Sequence, residues 1–340
     1  MKGIENMAYG IVNYGCYVPR LRLKADEYAR AWNGARASVS ERAVADFDED
    51  VLTMARESSK DALRGMDASA LDVVSLASTS FPYAYRTNAG TLTTALGARD
   101  DVFCGEYAQS TRAGTEALIM TLSFLKAWDL QMGLVAAADS PRARVTDSPD
   151  SGYGSASASL VLGEEGLLAK IEGYACSVTE HLSGIFQPPD EPYVEDLGLT
   201  TYMREAVQGV LKSAVSRLLA KLGRKPADYD YVVCPEVQRA PRALLGMGFD
   251  WDQMAPVLVA DRVGHAGACS PLLGLAAALD LAQPGARILV ASIAFGAGSD
   301  ALSIEVTEQG MERLPRLTPQ LEDKEYVDYL TYLKIRQEMR

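Results

Sequence analysis

Groups able to exchange protons or attack a carbonyl at neutral pH are sparse in this chain. His181 and His265 are its two histidines, and histidine is the side chain that ordinarily titrates between pH 5 and 8. The five cysteines, Cys16, Cys104, Cys176, Cys234 and Cys269, are odd in number and widely spaced. They form no CxxC pair and no His-rich ligand spacing, so the expectation is free thiols in a reducing cytoplasm and no metal. Ser110 and Thr111 place hydroxyls directly ahead of an apolar helical stretch. Such a hydroxyl needs an adjacent base before it becomes a nucleophile, and capping the helix start is its plainer use. The glycines of Phe295-Gly-Ala-Gly-Ser299 permit the positive φ and close backbone approach that a tight turn at a site needs.

The elements that must position these groups alternate between strand and helix. Gly10 to Tyr17 is β-branched and glycine-punctuated, Asp50 to Leu63 has helical apolar spacing, and Val73 to Ala77 reads as a buried strand. Arg112 to Trp128 is apolar nearly all round, which predicts a helix buried on every side. Strands follow at Leu134 to Ala138 and, after a Ser/Pro/Asp-rich loop, at Ala156 to Leu162. The same order returns with a strand at Tyr231 to Val233, a buried helix at Leu272 to Leu281, and strands at Ile288 to Ile293 and Ala301 to Val306. The offset is about half the chain, which implies an internal duplication. The expected organisation is an N-terminal half over 1–172, a connecting or entrance region over 173–202 with little periodicity, and a C-terminal half over 203–340.

The chain has 340 residues, 48% of them hydrophobic and 23% charged, as in an ordinary packed globule. Its formal charge of −12 works against general affinity for nucleic acid or anionic membrane. No stretch approaches the roughly 20 apolar residues of a membrane helix, so a cytoplasmic protein is expected.

Several motifs occur in a fixed order: Gly15-Cys-Tyr-Val-Pro-Arg20, Ser40-Glu-Arg-Ala-Val44 with Asp48-Glu-Asp50, Phe81-Pro-Tyr-Ala84, Arg112-Ala-Gly-Thr115, Ser270-Pro-Leu-Leu-Gly-Leu275, Phe295-Gly-Ala-Gly-Ser-Asp300 and Tyr326-Val-Asp-Tyr329. Together they resemble the thiolase superfamily, most closely the short bacterial and archaeal branch of 3-hydroxy-3-methylglutaryl-CoA (HMG-CoA) synthase. They are also similar to the synthase-like subunit of the bacterial complex that transfers acetyl groups between acylphloroglucinols. The resemblance implies an α/β thiolase-like fold, with two duplicated halves and layered sheets around buried helices. It implies a coenzyme A thioester, or an acyl-ketone, as substrate or ligand, with no bound cofactor. The implied partners are a second copy of the chain, a thiolase and a small OB-fold zinc-ribbon protein.

The resemblance also assigns positions. The family's nucleophilic cysteine precedes a Lys/Arg-Ala-Gly-Thr motif, a place held here by Thr111; Cys104 lies too early and is expected to pack in a strand. The family's general acid/base glutamate corresponds to Thr79 in Thr79-Ser-Phe-Pro-Tyr83. Its second-half histidine and asparagine correspond to Cys234 and His265, and Gly264-His265-Ala-Gly resembles the Gly-His loop of thiolases. His265 is therefore the preferred acid/base candidate over His181, and a Cys234/His265 dyad is possible. Gly296 and Gly298 correspond to the loop that closes the acyl site beside the oxyanion hole. Three readings stay open: an acyl-CoA-handling subunit with replaced catalytic residues, an independent C–C bond forming or cleaving enzyme using His265 with or without Cys234, and a non-catalytic structural subunit.

Overall fold

The computed structural model describes residues 9–145, 147–180, 184–237, 240–309 and 314–338. The first half runs β1 (Gly10–Tyr17), β2 (Leu21–Lys24), β3 (Glu41–Val44), α1 (Val51–Ala62), β4 (Val73–Ser78), β5 (Phe103–Ala108), α2 (Ala113–Trp128), β6 (Met132–Asp139) and β7 (Ala156–Gly163). The second runs β8 (Ala169–Glu180), β9 (Ile185–Phe186), β10 (Glu195–Asp196), α3 (Thr200–Leu222), β11 (Tyr231–Val233), α4 (Ser270–Leu281), β12 (Arg287–Ile293), β13 (Ala297–Val306), β14 (Glu325–Val327) and α5 (Tyr329–Ile335).

The duplication is explicit in the sheet. Its strand order is β11-β12-β13-β8-β1-β7-β6-β4-β5. In each half a parallel pair, β4/β6 or β11/β12, leads through antiparallel partners to β1 or β8. The halves join where Gly10 and Ile11 pair with Lys170 and Ala169. Helices α1 and α3 pack on β1/β7 and β8/β13 respectively, while α2 and α4 meet each other in the centre. Gly114 allows that approach, since a Cβ there would lie 2.4 Å from the Ala268 carbonyl oxygen. α1 begins at a reciprocal cap, Asp50 Oδ1 accepting from Thr53 N at 2.9 Å and Thr53 Oγ1 from Asp50 N at 2.7 Å, which satisfies N-terminal donors the helix leaves orphaned. On its inner face, Ser58 Oγ lies 2.6 and 2.7 Å from the Ser157 and Ser159 hydroxyls, so small residues let helix and sheet close up around a paired polar seam.

Three local readings change. α2 is not buried on every side: Met120 and Trp128 are 53% and 68% exposed, next to Phe103 of edge strand β5 at 55%. The segment after Gly173 first continues as strand β8 to Glu180, because β13 pairs with it along most of its length. β13 in turn starts at Ala297 and so includes the second glycine of the turn.

A small sheet, β14-β2-β3, carries the C-terminal helix α5. Buried Asp150 ties these parts together: Arg42 Nη2 lies 3.1 Å away, Tyr332 donates to it at 2.7 Å, and Arg336 also donates to it. Among the described residues no helix is long and apolar enough to cross a membrane.

Candidate functional site

The ends of α2, β11 and β12 converge with the loop before α4 on an inner pocket of about 20 Å³, room for about one water. Thr111, Cys234, Glu236 and His265 all line it. Thr79 lies outside it, in an adjoining cleft of about 500 Å³ shared with Phe81, Tyr153 and Arg142.

Thr111 does not cap α2. Its Oγ1 donates to the Ile293 carbonyl on β12 at 2.6 Å, while Ser110 Oγ accepts from Arg112 N at 3.2 Å. Arg112 reaches across to β13, its Nε 3.0 Å from Asp300 Oδ2, and Thr115 Oγ1 is 2.8 Å from the same oxygen. This pins the start of α2 to the second half. Gly296 and Gly298 adopt φ of +101° and +116°, and a Cβ on Gly298 would sit 2.6 Å from Arg112 Nη1. A larger residue there is strained by the backbone and would displace the Arg112 guanidinium.

His265 is held by its backbone: its N–H donates to Gly152 O at 2.8 Å, and Gly154 N–H donates to its carbonyl at 3.2 Å. Nδ1 is buried without a hydrogen-bond partner. Burial lowers its pKa to about 4, so the ring is neutral at pH 7. Cys234 is buried, its Sγ 3.9 Å from Met254 Sδ. Burial, with nearby Glu236, pushes the thiol pKa up, so Cys234 is protonated at neutral pH. Cys269 is buried and raised in the same way, Cys104 sits in β5 as expected, and His181 lies outside the described residues.

Two carboxyls escaped the sequence reading. Glu236 accepts from Val259 N at 2.9 Å and Ala260 N at 3.1 Å. Burial raises its pKa to about 7, with Asp261 adding to the shift and the two N–H donors opposing it. An acid placed just past a buried strand was its one signal. Asp139 is fully buried at the end of β6. It accepts from Thr79 N and Oγ1 at 2.9 and 2.8 Å, Ala268 N at 2.8 Å, Ser78 Oγ at 3.2 Å and Ser80 Oγ. Thr79 thus donates its proton to a carboxyl that locks the loop between His265 and α4. Among the described residues no group of three His, Cys, Asp or Glu could hold a metal ion.

No family model matches the chain. It is 33% identical to hydroxymethylglutaryl-CoA synthase of Archaeoglobus fulgidus, over 97% of this chain and 99% of that protein. The Methanopyrus kandleri synthase is 33% identical over 99% of each. The chain belongs to the hydroxymethylglutaryl-CoA synthase family. The family's fold is also seen in solved structures: an HMG-CoA synthase complexed with CoA superposes with a TM-score of 0.86 at 18% identity, covering 97% of this chain and 90% of that one. The curacin-pathway HMG synthase in complex with its acetyl donor ACP gives 0.86 at 18% identity, over 96% and 88%. The HMG-CoA synthase family is one of acyl-CoA condensing enzymes with a thiolase-like fold, as the motifs implied.

Proposed function

We propose that this HMG-CoA synthase family member handles an acyl-CoA thioester without forming an acyl-enzyme at Thr111, as the synthase-like subunit of a cytoplasmic, thiolase-containing complex. The observation that carries the reading is the Thr111 hydroxyl, committed to the Ile293 carbonyl in a water-sized pocket. An alcohol nucleophile needs a base to take its proton, and here that proton already points at a backbone acceptor. Cys234 stays a thiol and lines the pocket, neutral His265 is its acid/base or hydrogen-bonding ring, Thr79 closes the loop through Asp139, and Gly296 and Gly298, outside the lining, form the turn after β12 that packs on Arg112. The two halves carry these groups, and the connection between the end of β8 at Glu180 and the start of α3 at Thr200 forms the entrance.

Purification of the complex from its native host, followed by mass spectrometry after incubation with acetyl-CoA, tests both parts. The expected result is co-purification with a thiolase and a small OB-fold zinc-ribbon protein, and acylation of the thiolase rather than of Thr111. A stable acyl adduct on Thr111, or a fully active chain free of partners, overturns it.

The exposed edge of β5 supports a homodimer. Phe103 stacks on Phe124 with centroids 4.8 Å apart, and Met120 and Trp128 extend the apolar surface beside an unpaired strand edge, a combination that marks an association site. The chain is expected to run at twice the monomer mass in light scattering. Met120→Glu, which sets like charges against each other across a two-fold axis, is expected to shift it to the monomer.

A further inference from the structure

The reading above leaves one titratable group of the pocket unused. Glu236 lines the same cavity as Thr111, Cys234 and His265, and its carboxyl is fixed by two backbone N–H groups rather than by a charged partner in a surface pair. Cys234 on its own segment and His265 on the loop before α4 line the same cavity, and Asp261 on the short helix Ala260–Val263 is the nearby acid that adds to its raised pKa. His265 contributes the buried Nδ1 that has no partner. An anchored carboxyl and an unpartnered ring nitrogen lining one cavity too small for more than the tip of a ligand are an arrangement for moving one proton.

We propose that Glu236 is a catalytic base of this chain, removing a proton from the carbon next to the carbonyl of an acyl thioester whose acyl tip enters the inner pocket. The proposal rests on the acyl-CoA reading. In the step the C–H bond breaks, an O–H bond forms on Glu236, and the electron pair moves onto the thioester oxygen as an enolate. Neutral His265 is the pocket's hydrogen-bonding partner for that oxygen. Return of the proton regenerates both groups, so no further reactant is consumed. The pKa of about 7 suits the task, because the carboxylate is present at neutral pH and remains basic enough to take the proton.

The full chain is incubated with acetyl-CoA in D₂O, and deuterium entry into the acetyl methyl is followed by NMR. Exchange at least tenfold above buffer is expected, rising with pH through about 7 as the carboxylate forms. Glu236→Gln is expected to lower the rate on the order of 100-fold, with saturation-transfer signals showing acetyl-CoA still bound. Glu236→Asp, which keeps a carboxyl, retains part of the rate and separates chemistry from folding. Bound acetyl-CoA without exchange, wild-type exchange by Glu236→Gln, or release of free CoA in place of exchange overturns this proposal alone. Absence of acetyl-CoA binding by the wild-type chain overturns the acyl-CoA reading with it.

Discussion

Asp139→Ala is expected to cost about 3–5 kcal/mol of stability, because several neutral donors lose their common buried acceptor at once. The carboxyl has no exposure and gathers donors from three places in the chain: the end of β4 through Ser78, Thr79 and Ser80, its own strand end through Ser140 N, and the loop before α4 through Ala268 N. Alanine leaves those donors dry, at about 1–3 kcal/mol for each group that water cannot reach. Gly267 adds to the cost, because its Cβ position lies 2.0 Å from Asp139 Oδ2, a fit built around that carboxyl. Urea denaturation followed by circular dichroism measures the loss. The pH dependence has a definite sign. Burial raises the folded carboxyl's pKa, so between the unfolded value of about 4 and the folded one the native state holds a proton the unfolded state lacks. That contribution is complete below pH 4 and is lost as pH rises through the folded pKa. Asp139→Ala lacks that part of the slope, and an unchanged slope in the variant counts against the shift.

Asp150→Ala is expected to have a similar cost, about 3–5 kcal/mol, but a different local consequence. Asp150 is 1% exposed and stands between the Arg42 and Arg336 guanidiniums, with Tyr332 donating to its second oxygen. Removing it leaves two inward cations facing each other without their common anion. Arg336 is the last turn's link between α5 and the body, its Nη2 donating to Ala143 O at 2.7 Å. Amides of Tyr329–Ile335 are therefore expected to lose hydrogen-exchange protection before the central sheet does. A second change, Arg336→Met, recovers part of the loss by removing one stranded charge; equal protection in wild type and Asp150→Ala counts against this account.

The duplicated strand-helix order was legible because β4, β6, β7, β12 and α4 are short runs of apolar and small residues whose burial is nearly uniform. β8 was hidden by Lys170, Glu172, Gly173 and Glu180, polar or flexible residues that its neighbour β13 accommodates through two irregularities of register. Period alone could not tell an α2 face turned to a core from one left for another molecule, since both need apolar side chains. Of the candidate site, Thr111, Cys234 and His265 meet in one pocket, and the motif order was the route to all three. Asp139 and Glu236 left almost no local trace: Asp139 draws donors from residues 60 and 129 positions away, and Glu236 depends on N–H groups 23 and 24 positions away. Such roles exist only after the chain has closed.

The nine-stranded sheet ends differently at its two sides. β5 offers six residues of open edge, whereas the opposite end, β11, has three and is flanked by Trp251–Met254 and α4. A contact between two unlike edges would propagate into a filament, while an edge meeting its own copy about a two-fold axis is used up at two protomers. Among the described residues one end of this sheet offers an edge long enough to pair, so in the proposed dimer further growth of the sheet would have no starting point once that edge is filled, and the asymmetry between the duplicated halves would guard against polymerisation.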